Sequence, residues 1–216
     1  MKICVIVPII SKELIKTDEV KERVGKYVRS STKVDYVFVD YGPASIESMY
    51  DHDLAAPFVV KKAEWAERNG YDAVVVTCMM DPGVEAAKEV LDIPVVGPGE
   101  AARQIAPILG KKISKIYPRG LTVLELVEDP EKTYNVLLND ARRALKEEGA
   151  EVLILSCTGL TGIGQKLQNE LQVPVLEGEA LALALAQMFV DTGLSQSKLA
   201  FKRPPEKKRT LPGYEE

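Results

Sequence analysis

Short runs of Val, Ile and Leu alternate along the chain with longer stretches whose apolar residues recur every three to four positions. A parallel strand covered on both faces reads as a near-continuous apolar run, and the helix that covers it reads as amphipathic, so the alternation predicts βα units around mainly parallel sheet. The fold class is α/β. Strands are expected at Lys2–Pro8, Val34–Asp40, Ala73–Thr77, Val95–Val96, Val152–Ser156 and Val175–Leu176, with weaker ones at Lys112–Ile116 and Thr122–Leu126. Helices are expected at Thr17–Arg29, Leu54–Asn69, Pro82–Leu91, Pro98–Leu109, Pro130–Glu148, Gly162–Leu171 and Glu179–Thr192. Gly70, Gly110 and Gly149 stand where a left-handed residue would stop three of them. Past Gly193 the pattern gives out. Ser195–Lys198 and the Pro-, Lys- and Arg-rich stretch from Phe201 to Glu216 predict a tail that is solvated or laid on a neighbouring subunit.

The pattern also repeats. Tyr71-Asp-Ala-Val-Val-Val-Thr-Cys78 runs on to Ile93-Pro94-Val95, and Ala150-Glu-Val-Leu-Ile-Leu-Ser-Cys157 runs on to Val173-Pro174-Val175. Gly99-Glu100-Ala101 and Gly178-Glu179-Ala180 then open matching alanine-rich segments. A duplication that ends one strand in each half with a thiol is what a site acting on two faces of a ligand requires.

Composition narrows the function classes. The 216 residues suffice for two small lobes, each with a core, and a formal charge of -4 provides no basic field for nucleic acid. No apolar stretch reaches the length of a membrane span and the start, Met1-Lys2-Ile3-Cys4-Val5, reads as a strand, so a cytoplasmic protein without a membrane partner is expected. Three cysteines without a Cys-x-x-Cys pair, and one histidine, make neither a disulfide framework nor a zinc site. No metal is expected.

Asp81 followed by Pro82 reads as an N-cap and a first-turn proline, so a helix should start three residues after Cys78. Thr161 is expected to cap the helix after Cys157, with Gly159, Gly162 and Gly164 turning backbone N–H groups towards a bound anion. A helix N-terminus favours thiolate, which would bring both cysteines down towards neutrality and make them usable bases. Cys4, inside the first strand, reads as core. Thr77, Thr158 and Gly159 adjoin the thiols and are expected to line the site. Met79 and Met80, with Ile9 and Ile10, are candidates for an apolar wall. His52 reads as a surface residue, and Glu100 and Glu179 as acids placed by the helix dipole alone.

The paired cysteine motifs in this order resemble the aspartate/glutamate/hydantoin racemase superfamily, most closely its hydantoin racemase branch. The segments Pro94–Ala102, Ser156-Cys157-Thr-Gly-Leu160, Gly42-Pro43-Ala-Ser-Ile-Glu47 with Leu54–Pro57, Leu124–Pro130 and Gly193–Lys198 are similar too. The resemblance implies two αβα lobes with mainly parallel sheets, related by a pseudo-two-fold axis, with a cleft between them. Residues 1–97 with 177–216 would form the lobe carrying Cys78, and residues 98–176 the lobe carrying Cys157. It also implies cofactor-free racemisation of a small molecule, a 5-substituted hydantoin or related amino-acid derivative, by Cys78 and Cys157, in a homo-oligomer. Two departures stand out. The family's polar loop after the first strand is here Val7-Pro8-Ile9-Ile10-Ser11, leaving only Ser11 as a polar contact, and the stretch from Gly110 to Leu121 is shortened. Cysteine chemistry of the maleate-isomerase kind on the same fold, or non-catalytic ligand binding, are the alternative readings.

Overall fold

The computed structural model describes residues 1–12, 22 and 24–211. Of the helix expected over Thr17–Arg29, residues 17–21 and 23 lie outside them, and among the rest the helix has ended by residue 26. The first sheet has the order β2-β1-β3-β4, from β1 (Lys2–Val7), β2 (Lys33–Phe38), β3 (Ala73–Val76) and β4 (Val95–Val96), every pair parallel. The second has the order β5-β6-β7, from β5 (Ile113–Ile116), β6 (Val152–Leu155) and β7 (Val175–Glu177), again parallel throughout.

Side-chain alternation on the central strands shows why these segments read as continuous apolar runs. Cys4, Ile6, Val74 and Val76 face one core, with Val59, Ala63, Val84 and Ala87 of α1 (Met49–Arg68) and α2 (Val84–Val90). Ile3, Val5, Ala73 and Val75 face the opposite core, with Ala182, Leu183 and Ala186 of α6 (Gly178–Thr192). Burying both faces leaves no position for a polar residue. In the second sheet Leu153 and Leu155 pack with Leu137 and Ala141 of α4 (Pro130–Arg143), while Val152 and Ile154 pack with Ala102 and Ala106 of α3 (Pro98–Leu109).

The two sheets exchange helices. α3 follows β4 of the first sheet but covers β6 and β7 of the second; α6 follows β7 of the second but covers β3 and β4 of the first. The two helices pack against each other between the sheets. Each sheet is therefore completed by a helix from the other half of the chain, which holds the ends of β3 and β6 in a fixed relation.

Several expectations need correction. Thr122–Leu126 is not a strand: Thr122 and Glu125 cap each other, with Thr122 N and Oγ1 both donating to Glu125 Oε2 (2.7 and 2.8 Å), and a 3-10 turn follows at Glu125–Val127. The Thr-x-x-Glu spacing is a helix-start signal that outweighs the β-branched residues around it. The second helix begins at Met49, five residues before its expected start, because Ser48 and Asp51 form a capping box there. The expected Pro130–Glu148 helix is α-helical only to Arg143 and ends in a π turn at Ala144–Glu148. Gly110 is extended at φ -176°, whereas Gly70 and Gly149 are left-handed as expected; at Gly110 a Cβ would meet Val152 Cγ2 at 2.7 Å, so close packing, not handedness, requires glycine. The start of the tail is clasped to its own sheet's helices. Lys198 Nζ donates to the carbonyls of Lys88, Glu89 and Leu91, and Arg203 Nη1 to that of Val90 (2.9 Å), satisfying carbonyls exposed where α2 ends. Among the described residues no helix is long and apolar enough to cross a membrane.

Candidate active site

Cys78 and Cys157 follow the C-terminal ends of β3 and β6 and line one cavity of about 350 Å3. In parallel sheets the carboxyl ends of strands are where ligands are bound, since the loops there are free of the helices' packing. The third approach to the cavity is the end of β1, through Val7, Pro8 and Ile9.

The turns that carry the thiols are tied to each other. Thr158 Oγ1 donates to the Thr77 carbonyl at 3.1 Å, so the residue after one cysteine is bonded to the residue before the other. Thr77 Oγ1 in turn donates to Glu179 Oε1 at 2.9 Å, as does Tyr36 Oη at 3.0 Å. Glu179 is 2% exposed, and its side chain is thus part of a buried network beneath the first thiol, beyond the dipole role expected of it. Both threonines line the cavity, with their hydroxyls committed to this bridge.

The capping arrangements differ from those expected. Asp81 has a left-handed φ of 57° and does not cap α2, whose N-cap is Gly83. Its carboxylate reaches across to the start of α3, accepting from Gly99 N (2.8 Å) and Arg103 Nη2 (3.0 Å). Gly99 lets that approach happen, because a Cβ there would sit 2.2 Å from the Met79 carbonyl oxygen. After Cys157 a 3-10 turn at Thr158–Leu160 precedes α5 (Gly164–Leu171), and Thr161 Oγ1 bonds the Thr158 carbonyl (2.7 Å) instead of capping that helix. The N–H groups of Gly162 and Gly164 do meet an anion, but it is the protein's own Glu177, whose Oε1 accepts both at 2.9 and 2.5 Å.

Burial dominates the thiols' acidity. Cys78 is pushed up to about 12 from a usual 9.0 and Cys157 to about 11, in each case chiefly by loss of solvation. Backbone N–H groups of Met80 and Asp81 at Cys78, and of Gly159 at Cys157, pull the other way without prevailing. The expected depression towards neutrality is therefore reversed. Each α-helix after a thiol starts at least six residues on, too far for its terminus to offset desolvation. The two sulfurs interact, since a charge on Cys157 raises Cys78 further. Cys4 is wholly buried in the core.

Of the other expected site residues, Ile9, Thr77, Met79, Thr158 and Gly159 line the cavity, and Met80 joins Met79. Ser11 is not in the lining: it is buried, and the chain turns away after Ile9 as Ile10 N bonds the Pro43 carbonyl (3.1 Å). His52 lies on α1 against Asp53, and Glu100 pairs with Lys88, both outside the cavity. Sequence reasoning missed Ile46 and Glu47, which the Gly42–Glu47 segment brings in, and Tyr117 and Leu121 of the shortened segment, with Val123 just after it. The wall is apolar, with thiols, a phenol, a few hydroxyls and one carboxylate. Chemically, two thiols on one cavity can serve as one proton acceptor and one proton donor.

The chain matches the family model described as Asp/Glu/Hydantoin racemase over residues 15–116 and 108–186. It is 35% identical to a hydantoin racemase of Pseudomonas sp. (strain NS671), covering 100% of this chain and 96% of that protein, and 32% identical to the hydantoin racemase of Paenarthrobacter aurescens, covering 96% and 99%. The first alignment runs to 241 positions, more than the 216 residues of this chain, so that relative carries positions this chain lacks. Among solved structures, allantoin racemase from Pseudomonas fluorescens superposes with a TM-score of 0.89 at 26% identity, over 98% of this chain and 100% of that one.

Proposed function

Because the chain belongs to the Asp/Glu/Hydantoin racemase family, and is by that membership an isomerase, we propose that it interconverts the enantiomers of a 5-substituted hydantoin by proton transfer between Cys78 and Cys157, without a cofactor. The observation that carries this reading is the pair of thiols at the ends of β3 and β6 on one apolar cavity. A single base held on one side of a carbon does not easily reach both of its faces. Two sulfurs on one cavity, each from a different sheet, divide the task. One, as thiolate, takes the proton from the ring carbon; the electron pair left behind spreads onto the adjacent carbonyl oxygen; the other, as thiol, gives its proton to the opposite face. The thiolate has then moved across the cavity, and the mirror substrate runs the cycle in reverse.

High thiol values fit this chemistry at a cost. A thiolate whose conjugate acid lies at about 11 to 12 is a stronger base than an ordinary one, while its population at neutral pH is small. Activity should therefore climb with pH through neutrality and beyond, with the apparent values belonging to the pair rather than to either cysteine.

The test follows optical rotation and deuterium uptake at the ring carbon for one enantiomer of a 5-substituted hydantoin in heavy water. Cys78→Ala and Cys157→Ala should each abolish racemisation. Full turnover retained by either variant rejects the two-thiol scheme.

A further inference from the structure

Glu47 stands apart in the cavity. Leaving aside the two thiols and the Tyr117 phenol, it is the one acidic or basic side chain in the lining among the described residues, and most of the wall around it is aliphatic or thioether: Ile9, Ile46, Met79, Met80, Leu121 and Val123. It is exposed, at the mouth and not in the depths. Its Oε1 accepts the Ser45 hydroxyl at 2.8 Å, and Oε2 has no hydrogen-bond partner among the described residues. The backbone holds it in place: Glu47 N donates to Asp51 Oδ2 at 3.1 Å, the same carboxylate that closes the capping box of α1. Its charge is felt at the chemistry, since it raises both Cys157 and Tyr117.

Resting on the hydantoin reading above, we infer that Glu47 is a specificity-determining residue that selects neutral cyclic ureides by accepting a ring or side-chain N–H, and that rejects substrates carrying a carboxylate. A ureide offers N–H donors to the free oxygen, and the aliphatic wall takes the substituent at the reacting carbon. A carboxylate on that substituent meets a like charge in a lining that, among the described residues, has no basic side chain to offset it. Like charges about 6 Å apart weaken binding roughly tenfold where solvent partly screens them. The same charge opposes ionisation of the ring imide, and an anionic ring would have a carbon harder to deprotonate. Glu47 thus keeps the bound ring in its reactive, neutral form.

The experiment compares two ligands of one shape, 5-carbamoylmethylhydantoin and 5-carboxymethylhydantoin, by titration calorimetry with wild type and Glu47→Gln, and in parallel follows their racemisation. The isosteric amide keeps an acceptor for Ser45 and removes the charge. Wild type should bind the neutral ligand at least ten times more tightly than the anionic one. Glu47→Gln should bring that ratio to within about threefold. An unchanged ratio in the variant overturns the inference and leaves the proposed function standing. Failure of wild type to bind either ligand at millimolar concentration overturns both. Binding with the expected ratio but no turnover supports the role of Glu47 and rejects the reaction.

Discussion

The two cysteine turns place a sulfur at the same point of their sheets by opposite means. In the first, the turn itself supplies the carboxylate: Asp81, three residues after Cys78, reaches outward to the N–H of Gly99 at the start of α3. In the second, the turn supplies only N–H groups, and the carboxylate comes inward from Glu177 at the end of β7. Both devices lock a cysteine turn to the strand and helix beside it. The duplication therefore preserved where the strand ends and the sulfur sits, not the loop chemistry that holds it there. That difference predicts unequal sensitivity. Glu177 is 7% exposed and accepts two backbone N–H groups and the Tyr27 hydroxyl (2.8 Å), whereas Asp81 accepts one N–H and one half-exposed arginine.

Glu177→Ala is expected to give the largest effect. It strands two N–H groups beneath the second turn, where each charge-assisted bond contributes about 1.5–3 kcal/mol, so the loss should be about 3 kcal/mol or more in urea unfolding. Glu177→Gln, which keeps an acceptor, should recover most of it. Asp81→Gly removes the first turn's carboxylate while accepting the positive φ, and should cost about 1.5 kcal/mol, one capping bond plus a screened ion pair. Equal losses at the two sites would show that the turns are not held as differently as their geometry indicates.

Sequence periodicity located the strands well, and for a physical reason. Strands buried on both faces, such as Ala73–Val76 and Val152–Leu155, tolerate nothing but apolar residues, so they stand out in any composition. The two cysteines stood out because a repeat marks equivalent positions without any knowledge of packing. What stayed hidden was settled across the chain. Asp81-Pro82 reads locally as a cap for the next helix, but its carboxylate serves a helix 18 residues on. Thr158 and Glu179 carry no local sign that they meet through Thr77. Glu47 and Tyr117 enter the cavity on connecting segments, whose course no hydrophobic period encodes. The thiols' acidity was misread for the same reason. Helix starts are visible in sequence; the desolvation that overrides them is not.

The bridge between the turns can be cut without touching either sulfur. Thr158→Val is nearly isosteric and removes the bond to the Thr77 carbonyl, at a stability cost of about 1 kcal/mol. If that bond sets the gap between the thiols, kcat should fall roughly tenfold with KM little changed, and Thr158→Ser should restore it. A rise in KM alone would mean that Thr158 contacts the ligand instead of spacing the turns.

The smallest effect sharpens the comparison most. Both folded thiols lie above the ordinary 9.0, at about 12 and about 11, so below pH 9 folded and unfolded chains alike hold these protons and the stability is intact. As pH rises past 9 the unfolded chain gives them up first, and stability falls. At pH 9 half the unfolded thiols are ionised, a loss of about 0.4 kcal/mol for each. Between pH 8 and 10 the slope is set mainly by the unfolded value, because folded Cys78 keeps its proton and folded Cys157 is only about a tenth ionised at pH 10. Cys78→Ala and Cys157→Ala should therefore flatten the curve of unfolding free energy against pH by nearly the same amount, although the turns around the two sulfurs are built from opposite sides. If one substitution flattens it and the other does not, the second sulfur is already a thiolate in the empty protein, and the pair is asymmetric before any substrate arrives.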